Sequence, residues 1–93
     1  MFYVYVLQSI TTNELYFGYT NNLKRRLQEH NKKQVFATKE KAPWFLIYYE
    51  AFQSQQDAIS REHKLKRFGS SYSQLKKRIR KSMMREDLKE GVN

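Results

Sequence analysis

Two short runs of aromatic and β-branched residues near the start of the chain constrain its fold more than any other feature. They occupy residues 2–7 and 15–19, with a short polar stretch between them. Such residues favour β-strands, and a short polar connection favours an antiparallel hairpin. If the turn centres near residues 10 and 11, Tyr5 faces Tyr16 across the two strands. Gly18 then leaves one end of the second strand bare, so that a backbone or phosphate can approach closely.

The rest of the chain predicts one more strand and three helices. Residues 44–49 are apolar at nearly every position, as in a buried central strand. Helical spacing of apolar residues begins near Thr20-Asn21-Asn22, all three suitable N-caps, at Ser54 and near Ser73. This order predicts an α+β fold, a small three-stranded antiparallel sheet flanked by helices. We expect a single domain over residues 1–84 and a charged, frayed tail over residues 85–93.

Four aromatic residues in and after the third strand have two possible roles, as core residues or as groups on which nucleic-acid bases stack. We interpret them as core, because their strand is apolar on both faces. They are Trp44, Tyr48, Tyr49 and Phe52.

Length and composition exclude several classes of protein. The chain has 93 residues and no cysteine, so disulfide frameworks and zinc-thiolate clusters are excluded. A chain this short builds one core. The first 20 residues contain neither Lys nor Arg, and no apolar run reaches the roughly 18 residues of a membrane span. We therefore expect a cytoplasmic protein without a signal peptide or a membrane helix.

The positive charge is concentrated in two segments. The chain has 18 Lys and Arg against 9 Asp and Glu, and residues 61–80 alone have eight basic residues against one Glu. A second excess lies between residues 21 and 40. This distribution favours a surface that neutralises phosphates, with an anionic membrane or an acidic protein as the alternatives. We assign contacts to the nucleic-acid backbone to Lys24, Lys39, Lys66, Arg67, Lys76 and Arg80.

Three polar residues fall on helix stripes that should be apolar. Arg26 and His30 lie on the inward face of the first predicted helix, and Glu62 lies on that of the second. One interpretation is a buried ion pair between Arg26 and Glu62 that fastens two helices to the sheet. The other is a cleft that combines these three groups with the phenols of Tyr5 and Tyr16.

Such a cleft has the groups that phosphodiester cleavage needs. Glu62 can hold one Mg²⁺ or Mn²⁺ ion that keeps most of its waters, and Arg26 can bind a phosphate oxygen. Tyr5 or Tyr16 can activate the attacking water, with His30 sharing that role. The single acidic residue on the stripe argues against a two-metal mechanism.

Together these residues resemble the GIY-YIG nuclease domain over roughly residues 2–68. The resemblance rests on Tyr3-Val4-Tyr5, on Tyr16-Phe17-Gly18, on residues 22–31, and on Ala58 with Glu62 and Lys66. The chain is similar in particular to single-domain members related to the N-terminal domain of excinuclease C of bacterial nucleotide-excision repair. The first motif lacks its leading glycine, and Phe17 replaces the usual aliphatic residue. The asparagine that many members have late in the domain is absent between Asn31 and Asn93.

The resemblance implies a divalent-metal-dependent DNA endonuclease, connected with DNA repair or recombination, that leaves 5′-phosphate and 3′-hydroxyl ends. Its site residues fall on Tyr5, Tyr16, Arg26, His30 and Glu62, and Glu62 is the metal ligand. RNA stays open as a substrate, and we expect a protein partner to supply any sequence specificity. The alternatives are a non-catalytic nucleic-acid-binding module with the same fold, and an interaction protein whose basic third helix binds an acidic partner.

Overall fold

The fold is a three-stranded antiparallel sheet with helices on both faces. The computed structural model describes residues 1–83, so the predicted tail over 85–93 lies outside the described residues. The strands are β1 (Phe2–Ser9), β2 (Leu15–Thr20) and β3 (Trp44–Phe52). The helices are α1 (Leu23–Asn31), α2 (Gln55–Lys66) and α3 (Ser70–Arg78), and a short 3₁₀ turn covers Lys39–Lys41. The predicted α+β class is confirmed.

The strand order is β2-β1-β3, so β1 is the central strand. The prediction that the third strand is central was therefore wrong: β3 pairs with β1 alone and forms an edge. Tyr49, predicted to be core, is 52% exposed, whereas Trp44 is buried and Tyr48 and Phe52 pack partly against the core. Side chains of β3 pack on both faces of the sheet, as those of a central strand do, so the apolar sequence did not reveal its edge position.

The hairpin register differs from the predicted one. Tyr5 lies opposite Gly18, and Leu7 lies opposite Tyr16. The turn begins after Ser9, whose hydroxyl accepts hydrogen bonds from two backbone N–H groups of the loop. Asn13 then takes a left-handed conformation at φ 64° and the loop closes at Glu14. The turn is thus centred one residue later than predicted.

The helix starts follow local capping chemistry. The side chains of Asn22 and Ser54 accept backbone N–H bonds at the starts of α1 and α2. The start of α3 differs: the helix begins three residues before the expected Ser73, with Gly69 as an N-cap that makes no side-chain capping bond.

The two faces of β1 contribute to two separate cores. Val4 and Val6 face α2 and α3 and form a core with Phe17, Leu65 and further apolar residues of those helices. Tyr5 and Leu7 point to the opposite face, where they pack with Trp44, Tyr16, Leu23 and Leu27. The Tyr5 face, covered by α1 and the segment after it, contains the candidate site. Within residues 1–83 no helix is both long and apolar enough for a bilayer crossing.

Candidate active site

Tyr5 lies at the centre of the site because it projects from the middle of the central strand. Its side chain is almost completely buried and lies over Gly18, its partner on β2. The predicted bare strand end at Gly18 is therefore wrong, since the Tyr5 ring fills that space. Burial is the main reason why the pKa of Tyr5 is raised to about 12. At neutral pH the phenol keeps its proton.

His30 approaches Tyr5 from the last turn of α1. Its Nε2 is 2.8 Å from the Tyr5 hydroxyl oxygen, and its Nδ1 is 2.7 Å from the Thr38 hydroxyl. The imidazole is fully buried. Burial, followed by the positive charge of Arg26, lowers the pKa of His30 to about 4. The ring is therefore neutral at pH 7, with a proton on one nitrogen and a lone pair on the other.

Arg26 lies one helical turn before His30 on the same face of α1. Its positive charge lies close enough to the Tyr5 hydroxyl to offset part of the effect of burial on the pKa of Tyr5. Its Nη1 is also 3.0 Å from Oε1 of Glu29. The alternative interpretation, an ion pair between Arg26 and Glu62, does not hold, since Arg26 pairs within α1 and Glu62 pairs with Lys66.

Tyr16 and Glu62 complete the group at the β2 edge of the sheet. The Tyr16 ring meets the His30 ring edge to face, with centroids 5.2 Å apart. Lys66 connects Tyr16 to Glu62: its Nζ is 5.4 Å from the Tyr16 ring centroid and 3.3 Å from Oε2 of Glu62. The Glu62 side chain is only 16% exposed, and its charge contributes to the raised pKa of Tyr5. The other four predicted residues therefore lie in the neighbourhood of the buried phenol of Tyr5.

The donor set fits a single, largely hydrated divalent cation. Residues 1–83 contain no cluster of three or more His, Cys, Asp or Glu that could enclose a metal ion. A lone, mostly buried carboxylate such as Glu62 suits Mg²⁺, which keeps several waters and accepts one or two protein carboxylates. Lys66 neutralises Glu62 in the protein alone and would have to move aside for a cation.

The predicted backbone-contact residues lie at the surface. Lys24, Lys39, Lys66, Arg67 and Arg80 are exposed, and Lys76 is half-buried with its Nζ 5.1 Å from the Tyr72 ring centroid. A groove of about 290 Å³ opens beside the site, lined by Tyr19, Thr20, Asn21, Arg25 and Arg26. Two adjacent guanidinium groups thus line a concave surface next to Tyr5, although Arg25 was not among the predicted contacts.

Sequence reasoning missed three further residues of the site. Thr38 contacts His30, Glu29 pairs with Arg26, and Asn31 bonds both backbone groups of Trp44. Glu29 could have been found from its i,i+3 spacing to Arg26. Thr38 lies in an irregular segment, where no helix or strand period indicates which side chains point inward.

A family model described as the GIY-YIG catalytic domain matches residues 1–77. The chain belongs to the GIY-YIG family. The matched range includes β1, β2, α1 and α2. These elements hold the predicted site residues Tyr5, Tyr16, Arg26, His30 and Glu62.

Several similar proteins have the name UPF0213. A UPF0213 protein of Pediococcus pentosaceus is 41% identical over 99% of this chain and 86% of its own length. One from Clostridium perfringens is 33% identical over 100% of this chain and 99% of its own. The solution NMR structure of a UPF0213 protein from Bacillus halodurans has a TM-score of 0.50 and 27% identity, covering 81% of each chain. That structure matches the α+β arrangement described above.

Proposed function

We propose that this GIY-YIG protein is a divalent-metal-dependent DNA endonuclease. The observation that supports this best is the 2.8 Å contact between the Tyr5 hydroxyl oxygen and His30 Nε2, with the charges of Arg26 and Glu62 close enough to act on the pKa of Tyr5. A base, a cation and a carboxylate around one buried phenol are the groups that hydrolysis of a phosphodiester requires.

In the proposed reaction Tyr5 is the group that takes the proton of the attacking water. The water oxygen forms a bond to phosphorus as its proton passes to the Tyr5 oxygen, and the phenolic proton of Tyr5 passes to His30 Nε2. The bond from phosphorus to the 3′ oxygen breaks, and that oxygen takes a proton from solvent. The raised pKa of Tyr5 makes a free phenolate costly, so transfer of both protons together avoids it.

Arg26 supplies the positive charge at the phosphate. Its guanidinium can donate two hydrogen bonds to a non-bridging oxygen pair, and the adjacent groove gives the strand access. A bound phosphate would also offset the charge of Arg26, which lowers the pKa of His30 in the protein alone. Substrate binding thereby makes His30 a better proton acceptor.

Glu62 would hold one Mg²⁺ or Mn²⁺ ion, which supplies Lewis-acid stabilisation of the charge on the leaving oxygen. The exposed basic residues would bind the DNA backbone without reading the bases. Specificity for branched or damaged DNA, as a role in repair requires, would then come from DNA shape. Any sequence preference would come from a protein partner. These roles, and a cytoplasmic location, form part of the proposal.

The test is an incision assay on supercoiled plasmid, branched DNA and a matched RNA, with Mg²⁺ or Mn²⁺. Glu62→Gln and Arg26→Ala are expected to lose cleavage. Glu14→Gln is the matched control, because Glu14 is an exposed carboxylate in the hairpin loop, and, like Glu62, it pairs with a lysine, here Lys41. Salt-dependent binding without any cleavage, or equal cleavage by Glu62→Gln and Glu14→Gln, would overturn the proposal and favour a non-catalytic binding module.

A further inference from the structure

A buried threonine lies behind the histidine of the site. Thr38 is in the segment between α1 and β3, its side chain is almost completely buried, and its hydroxyl is 2.7 Å from His30 Nδ1. His30 Nε2, on the opposite side of the ring, contacts Tyr5. The three side chains thus form a chain of hydrogen bonds from Thr38 through the imidazole to the Tyr5 hydroxyl.

The backbone of Thr38 is fixed by several hydrogen bonds. Its N–H donates to the carbonyl of Val35, and its own carbonyl accepts from the indole N–H of Trp44 at 2.9 Å and from the Lys41 N–H. Trp44 is fixed in turn, because the Asn31 side chain accepts from its N–H and donates to its carbonyl. The hydroxyl of Thr38 is therefore held in one place relative to α1.

The direction of the hydrogen bonds follows from the available donors and acceptors. The Thr38 hydroxyl can donate to the Val35 carbonyl, a long contact of 3.5 Å, which leaves an oxygen lone pair for a proton on His30 Nδ1. Nε2 then has a lone pair that accepts a hydrogen bond from the Tyr5 hydroxyl, and the lone pairs of the Tyr5 oxygen are left for the nearby positive charge of Arg26. In the opposite direction, His30 would donate to the Tyr5 oxygen, and the phenolic hydrogen would have to turn away from His30 while the oxygen stays near the positive charge of Arg26.

We propose that Thr38 is a positioning residue: its hydroxyl oxygen accepts a hydrogen bond from the N–H at His30 Nδ1 and so keeps the lone pair of Nε2 aimed at Tyr5. Given the proposed nuclease function, on which this inference rests, the same bond stabilises the imidazolium that forms when His30 takes the Tyr5 proton. Thr38 itself touches neither the water nor the phosphate.

The direct experiment is ¹⁵N NMR of the imidazole nitrogens, which identifies the tautomer. The wild type is expected to show His30 protonated on Nδ1, with exposed His63 as the internal reference. Thr38→Val, which removes the hydroxyl at nearly constant volume, is expected to shift His30 toward the Nε2-protonated form. Thr38→Ser retains the hydroxyl and should keep the wild-type tautomer. Protonation of Nε2 in the wild type would overturn the inference even if Thr38→Val did not fold.

A kinetic experiment distinguishes positioning from folding. Thr38→Val is expected to lower kcat by about 10- to 100-fold, the size of effect seen when a residue that orients a histidine in a metal site is removed. KM for DNA should not change, and Thr38→Ser should restore kcat. In the Tyr5→Phe background, where no proton is passed to His30, the same substitution should have no further effect. Additive losses in that double variant would contradict the role. If the wild type does not cleave DNA either, the proposed function fails, while the NMR result still decides which tautomer His30 adopts.

Discussion

The ring of Tyr5 lies directly over Gly18, its partner on the neighbouring strand. A Cβ atom built on Gly18 would come within 2.3 Å of both Cζ and the hydroxyl oxygen of Tyr5. The glycine of the second motif is therefore required by the phenol of the first. Its absent side chain allows the Tyr5 hydroxyl to reach His30 Nε2.

Gly18→Ala is expected to displace the Tyr5 ring and to break its bond to His30. Overpacking of this kind costs about 1–3 kcal/mol of unfolding free energy, which urea denaturation measures. Gly69→Ala is the control, since nothing lies within 4 Å of a Cβ at that position and its φ is −96°. That variant should change stability by less than about 1 kcal/mol. Equal effects of the two substitutions would contradict the packing of Tyr5 on Gly18.

Acid should destabilise the protein through His30. The pKa of His30 is about 4 in the folded state, below its usual 6.5, so the unfolded chain binds a proton more readily between these values. The stability from neutral His30 is fully present above about pH 6.5 and is lost as pH falls toward 4, up to about 3 kcal/mol. The charged and titratable groups around the ring are Tyr5, Tyr16, Arg26 and Glu29.

The measurement is the unfolding free energy at pH 7 and at pH 4.5, for the wild type and two variants. His30→Gln should lose part of the acid sensitivity, although it is less stable at pH 7. His63→Gln should retain the wild-type sensitivity, because His63 is exposed. The same decline with falling pH in all three proteins would show that His30 is not buried as a neutral ring.

Binding of duplex DNA should weaken steeply with salt. If the six predicted basic residues each contact one phosphate, the slope of log K against log salt is about −5. Arg67→Gln and Lys39→Gln should each make the slope less negative by about 1. Lys32→Gln, an exposed lysine outside the predicted set, should have a smaller effect. Fluorescence anisotropy in the presence of Ca²⁺, without turnover, measures the slopes, and equal slopes for all four proteins would contradict the assignment.

Local sequence signals predicted much of the fold. Asn22 and Ser54 cap the helices as their side chains suggest, and the hairpin and third strand form where apolar residues cluster. The hairpin register was wrong because the turn depends on the Ser9 hydroxyl and on the left-handed Asn13, which no period encodes. The position of β3 at an edge depends on strand order, a non-local property.

The part of the candidate site that lies on helices could be predicted from the sequence, because helical periodicity shows which side chains point inward. His30 and Glu62 interrupt apolar helix stripes, so their inward direction follows from the helical period. Thr38 could not be found in this way, because its inward direction is fixed by hydrogen bonds to Val35, Lys41 and Trp44 in an irregular segment. Arg26 was correctly expected to face inward, but its ion-pair partner is Glu29 of the same helix.

The general-base role of Tyr5 is tested by the single-turnover rate of DNA cleavage by Tyr5→Phe compared with Tyr49→Phe, at saturating Mg²⁺ or Mn²⁺. Both variants keep an aromatic ring, but Tyr49 is half exposed on the edge strand, whereas the hydroxyl of the buried Tyr5 is 2.8 Å from His30 Nε2. We expect a loss of about 100-fold or more for Tyr5→Phe, the usual contribution of a general base, and wild-type cleavage for Tyr49→Phe. Cleavage by Tyr5→Phe at the wild-type rate would contradict this role.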